Sequence, residues 1–139
     1  MTKLKDKITE YSNNLNLLRE MTADKTEVFQ YILDLGKKLQ SNALSEERRT
    51  PDNQVTKCQF DMYVDYEDGE WRAYSNGMIS SGYAYILLDV FNSVSPEEAA
   101  EVKMEDFEPL GIQDLLTMNR ATGFYQMIEI MRRNAQNVD

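Results

Sequence analysis

A single thiol and no imidazole define the chemistry open to this chain. Cys58 is its one cysteine, and histidine is absent from all 139 residues. Without histidine there is no Ser-His-Asp or Cys-His nucleophile pair, no His-ligated zinc and no imidazole base. One cysteine forms no internal disulfide, no Cys₄ metal site and no C-x-x-C redox pair. Covalent chemistry therefore centres on Cys58 or on carboxylates. The thiolate is the reactive form of cysteine, and a nearby cation favours it. Lys57 is adjacent, and Arg48 and Arg49 lie in the polar stretch before it. The competing reading makes Cys58 a small buried hydrophobe, the usual fate of a lone cysteine on an apolar strand face.

Arg120, within Asn119-Arg120-Ala121-Thr122-Gly123-Phe124, is the second residue of interest, against the plainer reading of a solvated arginine at a helix entry. Asp65, Glu67, Asp68 and Glu70 cluster around one turn, but without the spacing of a calcium loop, and read as a solvated hairpin tip. The eight methionines are dispersed at core spacing and read as packing.

Several elements must position these groups. Leu4, Ile8, Tyr11, Leu15 and Leu18 recur at steps of four and three, which predicts a helix with a narrow apolar stripe. Asp24 with Glu27 resembles a capping box, and Val28, Tyr31, Ile32, Leu35 and Leu39 line one face of a second helix. Residues 40–54 read as a surface loop. From Cys58 to Tyr66, apolar and polar residues alternate, which predicts a half-buried strand with the thiol turned inward at the loop–strand junction. Asp68-Gly69 favours a two-residue type I′ turn, and the register follows: Tyr66 opposite Trp71, Asp65 opposite Arg72, Val64 opposite Ala73, Tyr63 opposite Tyr74. An apolar, an opposite-charge and an aromatic pair in succession support it.

Tyr83, Ile86, Leu87, Val90, Phe91 and Val94 predict a core helix, and Ser95-Pro96-Glu97-Glu98 predicts a capped start of a short one. Pro109 and Gly111 interrupt the chain, and Ile112 to Met118 offers another short helix. A last helix is expected from about Ala121 to Asn134, with Phe124, Met127, Ile128 and Met131 inward. Helices flanking a hairpin indicate an α+β domain, expected to be single over 1–139.

Acidic residues outnumber basic ones 24 to 15, for a formal charge of −9. Residues 1–58 are nearly balanced at 10 basic and 9 acidic, whereas residues 59–139 hold 5 basic and 15 acidic. Part of the surface should favour a basic protein partner, although surplus acid also serves solubility alone. The balance argues against nucleic acid, which is bound through clustered Lys and Arg. With no secretory segment and no apolar run near 20 residues, the expectation is a soluble cytoplasmic protein without membrane contact.

Tyr31-x-Leu33-x-Leu35-Gly36-Lys37, Pro51-x-Asn53-x-Val55-x-x-Cys58-Gln59, Ser75-Asn76-Gly77 with Gly82, Ser95-Pro96-Glu97-Glu98 and Arg120-x-x-Gly123 together resemble SufE and its relative CsdE, from about residue 25 to 136. The resemblance implies an IscU-like α+β fold: a small antiparallel sheet, here a hairpin at about 58–76 plus a short third strand at 51–56, packed against several helices. It implies a sulfur acceptor for a PLP-dependent cysteine desulfurase. Cys58 would take sulfane sulfur and pass it to an iron–sulfur scaffold, with PLP only on the partner, no bound metal, and a monomer or weak dimer. Lys57, Gln59, Asn76 and Arg120 would support the cysteine or meet the partner. The alternative on the same scaffold is a non-catalytic desulfurase-binding or regulatory module with an inert Cys58. Departures from the family pattern are Lys57 for the usual Gly, Phe60 for Ser, Met62-Tyr63 for Val-Trp, Asn76 for an acidic residue, and Ser81 for Lys or Arg.

Overall fold

The computed structural model describes residues 2–21, 26–58, 60–111 and 118–138. Helix α1 (Thr2–Met21) buries Leu4, Ile8, Tyr11 and Leu15 along the expected stripe. Its hydrogen bonds reach distant parts of the chain. The Tyr11 hydroxyl donates to Asp89 Oδ2 at 2.6 Å, and Ser12 Oγ donates to the Pro109 carbonyl at 2.7 Å. Helix α2 (Thr26–Gln40) buries Val28, Ile32, Leu35 and Leu39. Asp24 of its expected capping box lies outside the described residues, as do residues 112–117 of the short helix expected over Ile112 to Met118.

The described residues between α2 and residue 62 form a loop, tightened by short 3₁₀ turns at Glu46–Arg48 and Pro51–Asn53. Strands β1 (Met62–Glu67) and β2 (Glu70–Ser75) then form an antiparallel hairpin in the expected register, with Tyr66 opposite Trp71, Asp65 opposite Arg72, Val64 opposite Ala73 and Tyr63 opposite Tyr74. Asp68 and Gly69 both have positive φ, 54° and 84°, as a type I′ turn requires.

The strand is shorter than the alternation predicts. Pairing starts at Met62, not at Cys58, because the Met62 carbonyl accepts from the Val55 N–H at 2.8 Å and the backbone loops out between them. The alternation in the sequence runs on through residues that make no ladder, but its burial does not: Cys58 is turned inward while Phe60 is exposed. The short third strand is accordingly reduced to one bridge, Gln54 with Tyr63, beside a two-stranded sheet.

Helix α3 (Met78–Asn92) lies at the centre, burying Tyr83, Ile86, Leu87, Val90 and Phe91 against α2 and β2. A Cβ on Gly82 would overlap the Ile32 carbonyl oxygen and Cγ2, so only glycine lets α2 and α3 approach this closely. Short helix α4 (Pro96–Ala99) starts as its sequence predicts: Ser95 Oγ accepts from the Glu98 N–H at 3.2 Å, with Pro96 in the first position. A 3₁₀ segment, Met104–Leu110, leads to Gly111 at φ 64°. Helix α5 (Met118–Ala135) packs Phe124, Met127, Ile128 and Met131 inward against β1, α3 and α4. A run of ring contacts threads the core from the hairpin to α5. Tyr66, Trp71, Phe91, Phe107, Phe124 and Tyr83 succeed one another with centroids 5.2 to 6.3 Å apart.

Candidate active site

Cys58 sits in the loop between the Val55–Met62 closure and its own turn, in which the Cys58 N–H donates to the Val55 carbonyl at 3.1 Å. It is partly buried and packs against the hydrophobic core, so the inward direction read from the alternation holds although the strand does not reach it. Two hydroxyls of α3 face the sulfur: Ser80 Oγ at 3.4 Å and Tyr83 Oη at 3.7 Å, with either partner able to donate. Both residues are buried and lie one helical turn apart. When the sulfur is anionic, both hydroxyls turn to donate to it. From the other side α5 presses close at Gly123, where a Cβ would stand 3.4 Å from Cys58 Cα and 3.3 Å from the Tyr83 hydroxyl.

Side chains on both flanks hold the loop in place. On the N-terminal side, Gln126 of α5 spans two neighbours: its Oε1 accepts from the Lys57 N–H at 2.7 Å, and its Nε2 donates to Thr56 Oγ1 at 2.8 Å. On the C-terminal side, Asn76 Oδ1 accepts from the Asp61 N–H at 3.0 Å, and the Asn76 N–H donates to the Asp61 carbonyl at 3.2 Å. Phe60, expected on the apolar strand face, is instead 43% exposed. Its ring covers Gly77, where a Cβ would fall 2.6 Å from Phe60 Cδ2. With Met78, 63% exposed, it puts apolar surface around Gly77, at the start of α3.

The structure thus brings Cys58, Lys57 and Asn76 into one loop system. Lys57 is exposed and contributes its backbone N–H. Gln59 lies outside the described residues, and Arg120 is in the first turn of α5 with its side chain outside them.

The arginines of the preceding loop do not serve the thiol. Arg48 pairs with Asp65 at 3.0 Å and Glu67 at 3.3 Å, while Arg49 donates to the Leu44 carbonyl and stacks 3.8 Å over the Tyr74 ring. Competing carboxylates and a carbonyl within the loop and hairpin capture both guanidinium groups. Asp65 also accepts from Asn53 and Asn134, each at 3.2 Å, along a cleft of about 640 Å³ whose walls include Arg133 but not Cys58. This polar clasp ties the end of α5 to the hairpin. Glu67 is held below the usual carboxylate range chiefly by the Ser45 hydroxyl, with help from Arg48 and Arg72, and Glu70 likewise by Asn42 and Arg72.

Ser80, Tyr83 and Gln126 were not singled out from the sequence. Ser80 carried a faint signal, since it falls three residues before Tyr83 on the same helical face. Gln126 carried none, because its partners lie 69 and 70 residues earlier in the chain.

Fold and site define a small α+β protein that offers one sheltered thiol on a loop fixed at its base. A family model described as "SufE: Fe-S metabolism associated domain" matches residues 14–135, and the chain belongs to the SufE family. It is 30% identical over 116 residues to an uncharacterised SufE-like protein of Synechocystis, covering 81% of this chain and 72% of that one. It is 27% identical over 118 residues to a protein of Plasmodium falciparum named cysteine desulfuration protein SufE, covering 78% of this chain but 47% of that longer relative. The solution structure of a hypothetical protein from Thermus thermophilus shares the fold with a TM-score of 0.66 at 19% identity, over 97% of this chain and 94% of that one.

Proposed function

We propose that this protein accepts sulfane sulfur on Cys58 from a cysteine persulfide carried by a PLP-dependent cysteine desulfurase, stimulates that enzyme, and delivers the sulfur for iron–sulfur cluster assembly. The observation that carries the reading is the placement of the single thiol: half-sheltered, on a loop closed at its base, with two hydroxyls at its sulfur. Membership in a family described by Fe–S metabolism supports the destination, and the name of the Plasmodium relative supports the source.

The Cys58 thiolate attacks the terminal sulfur of the partner's persulfide. A bond forms between Cys58 Sγ and that sulfur as the partner's S–S bond breaks. The electron pair departs with the partner's cysteine as thiolate, and no net oxidation occurs. Neither a histidine nor a second cysteine is needed. Ser80 and Tyr83 supply donors to the anionic sulfur before and after transfer, and the recess limits attack by other thiols and oxidants. Asn76 and the Lys57 backbone hold the resting loop, while Gln59 and Arg120 keep the role the family resemblance implies, supporting the cysteine or meeting the desulfurase. PLP resides on the desulfurase alone, the compartment is the cytoplasm, and the carrier works as a monomer or weak dimer.

Incubation with a cysteine desulfurase and cysteine should add about 32 Da to the protein, at Cys58, and should accelerate sulfide release. Cys58→Ser should abolish both. If the serine variant stimulates the desulfurase as well as the parent does, the protein is a docking module and the carrier reading fails.

A further inference from the structure

Sulfur transfer requires the Cys58 sulfur to leave the Ser80–Tyr83 recess, and on its N-terminal side, opposite the Asn76–Asp61 pair, the loop has one firm boundary and one weak one. The firm boundary is the closure at its base. Val55 is 1% exposed, its N–H is bonded to the Met62 carbonyl, and Gln54 bridges Tyr63. The weak one is the bidentate contact from Gln126, whose two hydrogen bonds lie at the exposed surface and are readily replaced by water. A single rotation of that side chain frees Thr56 and Lys57 together. Both belong to the turn that delivers Cys58, so releasing them frees that turn from α5 while the 55/62 base stays closed and Asn76 keeps Asp61.

We propose that Gln126 is a positioning residue that latches the Cys58 loop closed and sets how often the thiol is presented to a partner. The role rests on the sulfur-acceptor reading for its purpose, but access to the thiol can be measured without any desulfurase. The chemistry of the amide determines which substitutions should matter. Leucine fills similar space and suits a helix but makes neither bond. A glutamate keeps both: one oxygen accepts from the Lys57 N–H, and the other accepts from the Thr56 hydroxyl, which can rotate to donate. Gln126→Glu should therefore hold the loop as the parent does.

The test is the rate at which iodoacetamide alkylates the folded protein, in which Cys58 is the one thiol. Gln126→Leu should react roughly 5- to 30-fold faster, the effect of losing two hydrogen bonds of ordinary net strength. Gln126→Glu should stay within about 2-fold of the parent, and Thr56→Val, which removes one bond, should fall between. Urea unfolding taken alongside separates loop opening from global unfolding: Gln126→Leu should lose at most a comparable factor in its unfolding equilibrium and still unfold cooperatively, with an unfolded fraction in water far too small to account for the alkylation rate. Equal rates for Gln126→Leu and the parent would overturn the latch, as would equal acceleration by leucine and glutamate. Should the leucine variant not fold, an unaltered Thr56→Val rate overturns it instead. If the variants behave as expected while Cys58 never gains sulfur from a desulfurase, the latch stands and the acceptor reading falls.

Discussion

Two hydroxyls, and no base, attend the Cys58 sulfur among the described residues. A reaction that exchanges one sulfur anion for another needs donors that follow the charge, not a group that removes a proton at each turn. Replacing both, as Ser80→Ala with Tyr83→Phe, keeps the ring that meets Phe124 edge-on at 5.7 Å and removes the donors. Persulfide formation on Cys58 in a single turnover should slow by roughly 10-fold, the effect of losing two hydrogen bonds, as followed by intact mass. An unchanged rate would show that the hydroxyls serve packing alone. At this scale the sequence was informative about the nucleophile and silent about its surroundings. Removing histidine and pairing partners from consideration left Cys58, and its inward turn followed from alternation. Ser80 meets the sulfur, and Gln126 the residues before it, only through tertiary approach of α3 and α5, which no local spacing encodes.

The hairpin was the most legible element, because Asp68-Gly69 dictates a turn type and the turn type dictates every pair behind it. Its beginning was not legible. Alternation alone cannot distinguish a laddered strand from a loop with the same pattern, and the Val55–Met62 bond ends the ladder four residues after Cys58. The outer face of the hairpin also sets a response to acid. Glu67 accepts from the Ser45 hydroxyl at 2.5 Å and sits 3.3 Å from Arg48 and 3.7 Å from Arg72. These partners hold its folded pKa below the ordinary 4.5. A depressed carboxylate contributes stability that is complete above the unfolded value and vanishes as the pH falls through the folded one. Urea unfolding should thus show the parent losing stability below about pH 4.5 more steeply than Glu67→Gln, with the variant about 0.2–1 kcal/mol weaker at pH 7. Parallel pH profiles would rule out this carboxylate as a source of the acid sensitivity. At the opposite extreme, burial raises the Tyr11 phenol above its ordinary 10, so its contribution persists below pH 10 and is lost as alkali ionises it.

Across the whole molecule the acidic surplus lies in residues 59–139, above all in the hairpin that adjoins the cysteine loop and in residues 97–108. A desulfurase that meets this side should approach it with a basic surface, and attraction of that kind is screened by salt. Association rates measured by stopped flow should drop roughly 10-fold between about 0.05 and 0.5 M NaCl while chemistry within the bound pair changes little. Salt-independent association would shift the recognition to the apolar surface of Phe60 and Met78. Fold class followed readily from the helix–hairpin–helix order, since the stripes of α1, α2, α3 and α5 found the faces they predicted. The α2–α3 contact at Gly82 was not foreseeable, because a missing side chain leaves no periodic trace.

The closure between Val55 and Met62 also fixes a leash. Extended chain advances at most about 3.5 Å per residue, so three residues beyond Val55 the Cys58 backbone travels no more than ~10 Å from that anchor. The anchor itself is submerged in the core, and part of that radius is spent merely regaining the surface. If the protein accepts sulfur as proposed, a donor must therefore carry that atom outward to the rendezvous, or else open a mouth wide enough for the neighbouring hairpin to lean in.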